Sequence, residues 1–288
     1  MRIGFIGLGL MGSGMAGHLM AAGHELWLMA HRNRSSMDPL LARGAHEAKD
    51  AGELARRSEV IILCLTTAGV VEGTVAALMP HLRRGQIVVD TGTSAPGTTR
   101  RLARELEGLG VAYADAPMAG GPEQVAKKEV GALIGADEET YRAIAPLVSC
   151  YSSRLKHFGP PGSGHVAKLI SNYLVTGMIG LVAEAFTAAR RAQVDWRDLY
   201  EVMLNGSGNS GVLRKMMEAA LSGDFDGYRF SLANAAKDIG YYAELAGELG
   251  RLTPLAEAVE RIFAEAVATG HGGRNVSHLL DPAIDDVT

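Results

Sequence analysis

Apolar residues fall in short unbroken runs through the first half of the chain and at helical spacing through the second. Runs at 3–6, 26–29, 60–65 (VIILCL) and 86–90 (QIVVD) predict strands, as do 111–115 and 130–135. Unbroken apolar runs of this length suit parallel strands buried on both faces. Between them lie helical stretches. Leu10, Met11, Met15, Leu19 and Met20 share a helical spacing, Asp38-Pro39 can open a helix over 40–43, and 51–57, 70–82 and 98–107 read as further helices. The strand–helix alternation predicts a doubly wound parallel sheet.

The pattern changes at Gly159-Pro160-Pro161-Gly162. Beyond it, 164–193, 196–204, 211–221, 232–249 and 254–269 all read as helices. The chain is therefore α/β, with one domain over 1–160 and an all-α domain over 161–288. A helix of roughly 28–30 residues, about 45 Å long, enters the second domain. It is long enough to serve both as the interdomain connector and as a surface for self-association. Its stretch 169–183 is apolar but holds Ser171, Asn172 and Thr176 between Lys168 and Glu184. That falls short of the ~20 apolar residues of a membrane span, so a helix buried between domains is expected. The acidic tail from Leu280 onward is expected to fray.

Composition changes this picture little. The 288 residues are 47% hydrophobic and 21% charged with a net charge of −4, which gives no basis for nucleic-acid or membrane-surface binding. The two cysteines, Cys64 and Cys150, lack metal-ligand spacing and form no disulfide framework. Cys64, inside an apolar run, reads as a small core residue. No metal site is expected, no secretory signal is visible, and a reducing cytoplasm fits best.

The chemistry begins at Gly7-x-Gly9-x-x-Gly12, directly after the first strand and opening the first helix. In a Rossmann-type domain the first glycine permits the tight turn, the second lets a pyrophosphate approach the backbone, and the third lets helix pack on strand. Free N–H groups at the helix start favour the anion. After the second strand comes Ala30-His31-Arg32-Asn33-Arg34, with no acidic residue before Asp38. An acid there would bind the ribose hydroxyls of NAD; Arg32 with His31, Asn33 or Arg34 suits a 2′-phosphate, so NADP(H) is favoured and NAD(H) stays possible.

Two more strand ends point at the ligand crevice. Asp90-Thr91-Gly92-Thr93-Ser94-Ala95-Pro96 offers small hydroxyl residues where backbone would approach a nicotinamide; Thr93 or Ser94 could equally cap the helix that follows. Asp115-Ala116-Pro117-Met118-Ala119-Gly120-Gly121-Pro122 sets two glycines between prolines, a rigid turn whose Gly120 and Gly121 amides suit a substrate carboxylate. Then Gly162-x-Gly164-x-x-x-Lys168-x-x-x-Asn172 puts Lys168 and Asn172 one turn apart on one helix face. A lysine partly desolvated beside an apolar stripe can protonate a carbonyl oxygen as hydride arrives at its carbon. Asn172 can fix a substrate hydroxyl or the lysine itself. His165 lies close by but earns no role from sequence, and Lys237-Asp238 reads alone as an exposed charge pair.

From Gly4 to about Ser277 these motifs, in this order, resemble the β-hydroxyacid dehydrogenase family, which contains 3-hydroxyisobutyrate dehydrogenase and tartronate semialdehyde or succinic semialdehyde reductases. The resemblance rests on the opening turn with Met11-Gly12 and Met15-Ala16, on 115–121, and on 162–172. It implies a dehydrogenase or reductase acting on a small 3-hydroxyacid and its semialdehyde, with Lys168 as general acid/base and Asn172 as a substrate ligand. It also implies cofactor contacts from Gly7, Leu8, Gly9, Met11 and Gly12, from Leu65 and Thr66 near the adenosine portion, from Thr93 near the nicotinamide, and from Lys237. A homodimer or homotetramer is expected.

The chain departs from the family pattern in places. Ala119 stands where a serine usually helps hold the substrate carboxylate, Thr66 where proline is common, and Asn275 where an acid is common; 30–34 looks one residue longer than usual. The missing serine leaves open a reductase of imines or other non-acid carbonyls. A dinucleotide-binding scaffold without activity is the alternative outside enzymes, and no basic or low-complexity extension supports it.

Overall fold

The computed structural model describes residues 1–29, 34–250 and 253–287. The chain falls into two compact units, Met1–Lys168 and Leu169–Thr288. In the first, strands β1 (Arg2–Ile6), β2 (Glu25–Met29), β3 (His46–Glu47), β4 (Val60–Leu63), β5 (Ile87–Asp90) and β6 (Ala112–Asp115) run parallel in the order β3-β2-β1-β4-β5-β6. Helices α1 (Gly12–Ala21), α2 (Asp38–Leu41), α3 (Ala51–Arg57), α4 (Ala68–Leu78) and α5 (Pro96–Glu107) supply the crossovers.

Side-chain alternation explains why the apolar runs are unbroken. Ile3, Phe5, Val60 and Ile62 pack on one face with Met15 and Leu19 of α1. Ile6, Ile61, Leu63 and Val88 pack on the other with Leu54 of α3, Val75 of α4 and Leu102 of α5. Both faces need apolar residues, so no position is left for a polar one. Side chains fix the helix starts: Asp50 accepts from the Glu53 amide and Thr67 from the Val70 amide.

The alternation predicts a parallel sheet throughout, and the sheet departs from that after β6. After β6 come β7 (Met118–Ala119), α6 (Pro122–Ala126), β8 (Val130–Gly135), α7 (Glu138–Val148) and β9 (Ser152–Gly159). Strand β8 runs antiparallel to β6 and β7, and β9 parallel to β8. The short return through α6 leaves no long crossover, which a parallel pairing would need. Strand β9 escapes the hydrophobic pattern because most of Ser152-Ser153-Arg154-Leu155-Lys156-His157 is at least partly exposed. Helix α7 buries Ile144, Leu147 and Val148 but carries Pro146 inside, which hides it from a periodicity search.

Helix α8 (Ser163–Arg191) starts in the first unit and continues into the second, followed by α9 (Trp196–Leu204), α10 (Gly211–Ala220), α11 (Leu232–Glu248) and α12 (Pro254–Ala268). Ile179, Ala183 and Phe186 of α8 join Met216, Met217, Ile239 and Phe263 in the core of the second unit. The helix is not buried all round. Ile170, Leu174 and Leu181 are 51%, 65% and 60% exposed, at spacings that share a face. By length and composition α8 is apolar enough to cross a membrane, against the sequence-based expectation, and 28% of its most apolar window is buried.

The tail does not fray at Leu280. Leu279, Leu280 and Ile284 are buried in the second core, and Arg190 donates to the Leu280 carbonyl at 2.8 Å. Of its three acids, Asp281 sits between Leu280 and Ile284, and Asp285 and Asp286 follow these apolar anchors.

Candidate functional site

The glycine turn divides its work between packing and open space. Gly7 has φ +102°, and a Cβ there would stand 2.2 Å from the Cys64 carbonyl oxygen. A Cβ on Gly12 would stand 1.9 Å from the Gly7 carbonyl oxygen. Both are therefore demanded by the protein's own backbone. A Cβ on Gly9 would meet nothing within 4 Å. Its bareness serves no contact inside the chain and leaves a cradle of the kind a pyrophosphate occupies. Leu8, Met11 and this turn lie at the C-terminal end of β1. Leu65-Thr66 lies beyond β4 and Thr93 beyond β5, the next two strands in the sheet. Gly92 lets these two loops touch: a Cβ there would come 2.5 Å from the Leu65 carbonyl oxygen.

Neither Thr93 nor Ser94 caps α5. The cap residue is Ala95, without a side-chain bond, because Pro96 at the first turn removes one N–H that would need an acceptor. Ser94 is buried with its hydroxyl lacking a hydrogen-bond partner. In the turn after β6, Gly120 has φ +141°. The Gly121 amide donates to Gln124 Oε1 at 2.9 Å, so the amide expected from sequence to face a substrate carboxylate is already engaged. His31, Arg32 and Asn33 lie outside the described residues. Arg34 forks onto Glu47, its two terminal nitrogens 2.5 and 2.8 Å from the carboxylate oxygens, which commits its charge to an ion pair. Burial pushes the Cys64 thiol up to about 11, which suits a core residue and not a nucleophile.

A cluster that sequence left unassigned ties the strand ends to α8. Asp115 accepts from the Gly162 and His165 amides, both at 2.6 Å, and so caps the start of α8. His165 is fully buried; its Nδ1 lies 2.7 Å from Thr99 Oγ1 and its Nε2 3.1 Å from the Gly92 carbonyl oxygen. Asp90 Oδ2 is 3.9 Å from Nε2, and Asp115 Oδ2 is 3.7 Å from Nδ1. Asp90 also accepts from the Gly92 amide at 2.9 Å, with the Tyr113 hydroxyl 3.5 Å from its other oxygen. The available signal was a carboxylate closing each of two apolar runs, QIVVD and VAYAD. An acid at the end of a buried strand needs a partner.

Burial holds the Asp115 carboxyl up at about 7; the Gly162 and His165 amides pull the other way and Asp90 adds to the rise. Its ordinary value is 3.8, so between about pH 4 and 7 the native protein keeps a proton that the unfolded chain has released. The stability contributed by this group is full below that window and is lost as pH rises through it. Asp115→Asn is expected to flatten this part of the profile, which urea unfolding at a series of pH values measures. Parallel profiles for the two proteins would contradict it.

Lys168 is half-buried at the end of the first unit, one turn before Asn172 on α8. Within the second unit Asn172 is buried and donates through Nδ2 to Asp238 Oδ2 at 2.5 Å. Lys237 Nζ lies 2.6 Å from Asp238 Oδ1 and 5.1 Å from the Tyr241 ring centre. The Lys237-Asp238 pair is therefore no exposed charge pair: the side chains are 15% and 5% exposed, and Asp238 joins Lys237 to Asn172. Adjacency in sequence concealed this, because the partner lies on another helix.

Residues 2–159 match the family described as the NAD binding domain of 6-phosphogluconate dehydrogenase. Residues 162–283 match the one described as NAD-binding of NADP-dependent 3-hydroxyisobutyrate dehydrogenase. The chain is 30% identical to an NAD-dependent L-serine dehydrogenase of Pseudomonas aeruginosa over 98% of both chains. It is 28% identical to 2-hydroxy-3-oxopropionate reductase of Escherichia coli, over 96% of this chain and 94% of that one. Among solved structures, 3-hydroxyisobutyrate dehydrogenase of Mycobacterium tuberculosis with L-serine superposes with a TM-score of 0.88 at 25% identity, covering 98% of this chain and 99% of that one.

Proposed function

This chain belongs to the β-hydroxyacid dehydrogenase family of NAD(P)-dependent oxidoreductases, and from that premise we propose that it interconverts a small 3-hydroxyacid, or a short ω-hydroxyacid, and the matching semialdehyde. NADP(H) is the preferred cofactor and Lys168 the general acid/base. The observation that carries this is the spacing of Lys168 and Asn172, four residues apart along the continuous helix α8, with Asn172 bonded to Asp238.

The bound dinucleotide supplies or accepts the hydride. The chain's residues do the rest. Gly7, Gly9 and Gly12, with Leu8 and Met11, cradle the pyrophosphate; Leu65 and Thr66 border the adenosine portion, and Thr93 borders the nicotinamide. Lys168 Nζ–H donates to the substrate's carbonyl oxygen in reduction, and neutral Lys168 takes the hydroxyl proton in oxidation. Asn172 gives its N–H to Asp238, which leaves its Oδ1 as the acceptor for a substrate hydroxyl. Lys237, beside the same carboxylate, contacts cofactor or substrate. The Gly120 amide takes the larger share of the substrate carboxylate, because Gly121 joins only when Gln124 releases its amide.

The NADP(H) preference rests on His31, Arg32 and Asn33, in a stretch of sequence without an acid, and not on Arg34, which is paired to Glu47. The exposed Ile170, Leu174 and Leu181 form an apolar face of the kind a second copy covers, which suits a homodimer or homotetramer. Two free cysteines suit a reducing cytoplasm.

A panel of short aldehydes, with and without a carboxylate and with NADPH and NADH in parallel, tests the substrate class. Acid semialdehydes are expected to react at least about tenfold faster in kcat/KM than the matched non-acid aldehydes, since a site that hydrogen-bonds a head group rejects analogues lacking it. NADPH is expected to outperform NADH. Equal rates on both aldehyde classes, or faster turnover of cyclic imines, would contradict the assignment.

A further inference from the structure

The start of α8 is seated on the first unit by contacts that leave little play. Asp115 accepts two of its amides. A Cβ on Gly164 would stand 2.3 Å from the Leu133 carbonyl oxygen, and one on Gly135 2.7 Å from the Gly164 nitrogen. Here helix backbone lies directly on the end of β8. The loop after β5 is joined to α8 by a side chain. Gly92 O faces His165 Nε2, and Thr99 of α5 faces Nδ1. A carbonyl oxygen only accepts, so Nε2 carries a ring hydrogen, while Nδ1 faces the Thr99 hydroxyl, which also lies 3.3 Å from the Ala95 carbonyl oxygen.

We propose that His165 is a positioning residue, whose ring pins the Gly92–Thr93 loop to the first turn of α8 so that the Thr93 hydroxyl and the Lys168 ammonium keep a fixed separation. The proposal rests on the roles given above to those two residues. Lys168 follows His165 by three residues on the same helix, and Thr93 follows Gly92 directly. Removing the ring leaves the Gly92 carbonyl and the Thr99 hydroxyl facing a cavity, and the loop shifts to recover its bonds. A shift of about 1 Å in a reacting geometry costs as much as about 10²-fold in rate.

Three variants and one spectrum test it. His165→Leu removes both ring nitrogens at similar bulk. It is expected to lower kcat by about 10–100-fold while leaving substrate KM close to wild type. His165→Gln keeps an N–H for the Gly92 carbonyl and is expected to recover most of that loss. A purely packing role would impair the two variants equally. Equal impairment, or a folded His165→Leu with wild-type kcat, overturns the proposal. Lys168→Ala alongside separates the claims: if it stays active while His165→Leu is slow, the acid assignment fails and the pin stands. Should His165→Leu not fold, ¹⁵N spectra of the cofactor-free wild-type protein decide. The hydrogen on Nε2 of His165 is expected, and a hydrogen on Nδ1 alone overturns it.

Discussion

Lys168→Ala is expected to fold and to bind the dinucleotide with near wild-type affinity, yet to lose about 10²–10⁴-fold in kcat, the range that general acid–base groups contribute. The residue is half-buried near the helix start, so truncating it opens no core cavity. The capping bonds from Asp115 are to the Gly162 and His165 amides and do not involve its side chain. The glycine turn lies at the end of β1, far along the chain from residue 168. Cofactor fluorescence titration and steady-state rates, measured on the same preparation, separate binding from turnover. Turnover within a few-fold of wild type would remove Lys168 from the chemistry. A parallel loss of cofactor affinity would assign it to binding.

The three glycines of the opening turn are expected to respond differently to the same substitution. Gly7→Ala and Gly12→Ala drive a methyl to 2.2 and 1.9 Å from carbonyl oxygens, so backbone must move. Gly7→Ala adds the strain of a left-handed backbone at φ +102°. It is expected to cost about 2–5 kcal/mol of stability, from an overpacking penalty and a strained dihedral together. Gly9→Ala meets nothing within 4 Å and is expected to unfold like wild type. It is expected to bind the dinucleotide about 10–100-fold more weakly, which is about 1.4–2.8 kcal/mol. Thermal unfolding without cofactor and fluorescence titration with it give both numbers. Loss of stability in Gly9→Ala, or unaltered cofactor affinity in it, would contradict the division between packing glycines and a ligand glycine.

Most of the fold was legible because the core writes itself into the chain as periodicity. A strand buried on both faces shows an unbroken run such as Val60–Leu63, and a helix such as α9 announces itself through Asp195 accepting from the Arg197 and Asp198 amides ahead of a periodic stretch. What escaped had no apolar signature. Strand β9 is largely polar, and the antiparallel return at β7 and β8 is decided by connection length and not by residue type.

The candidate site was legible in the same uneven way. The glycines and the Lys168–Asn172 spacing carry a local pattern. The buried network around His165 does not, since its members Asp90, Thr99, Asp115 and His165 come from four separate elements. Asp238 was missed for a related reason: its partner Asn172 is distant in sequence, so Lys237-Asp238 alone resembles any solvated pair. A strand that ends on aspartate, twice, was the one clue, and only the fold shows what those carboxylates hold.

The central claim is that the Lys168 ammonium delivers the proton to the substrate's oxygen. A crystal structure of the complex with oxidised cofactor and a short acid semialdehyde tests it most directly, because that pair cannot react. Lys168 Nζ is predicted within about 3.2 Å of the aldehyde oxygen, and a side chain turned away from that oxygen into bulk water would contradict the account.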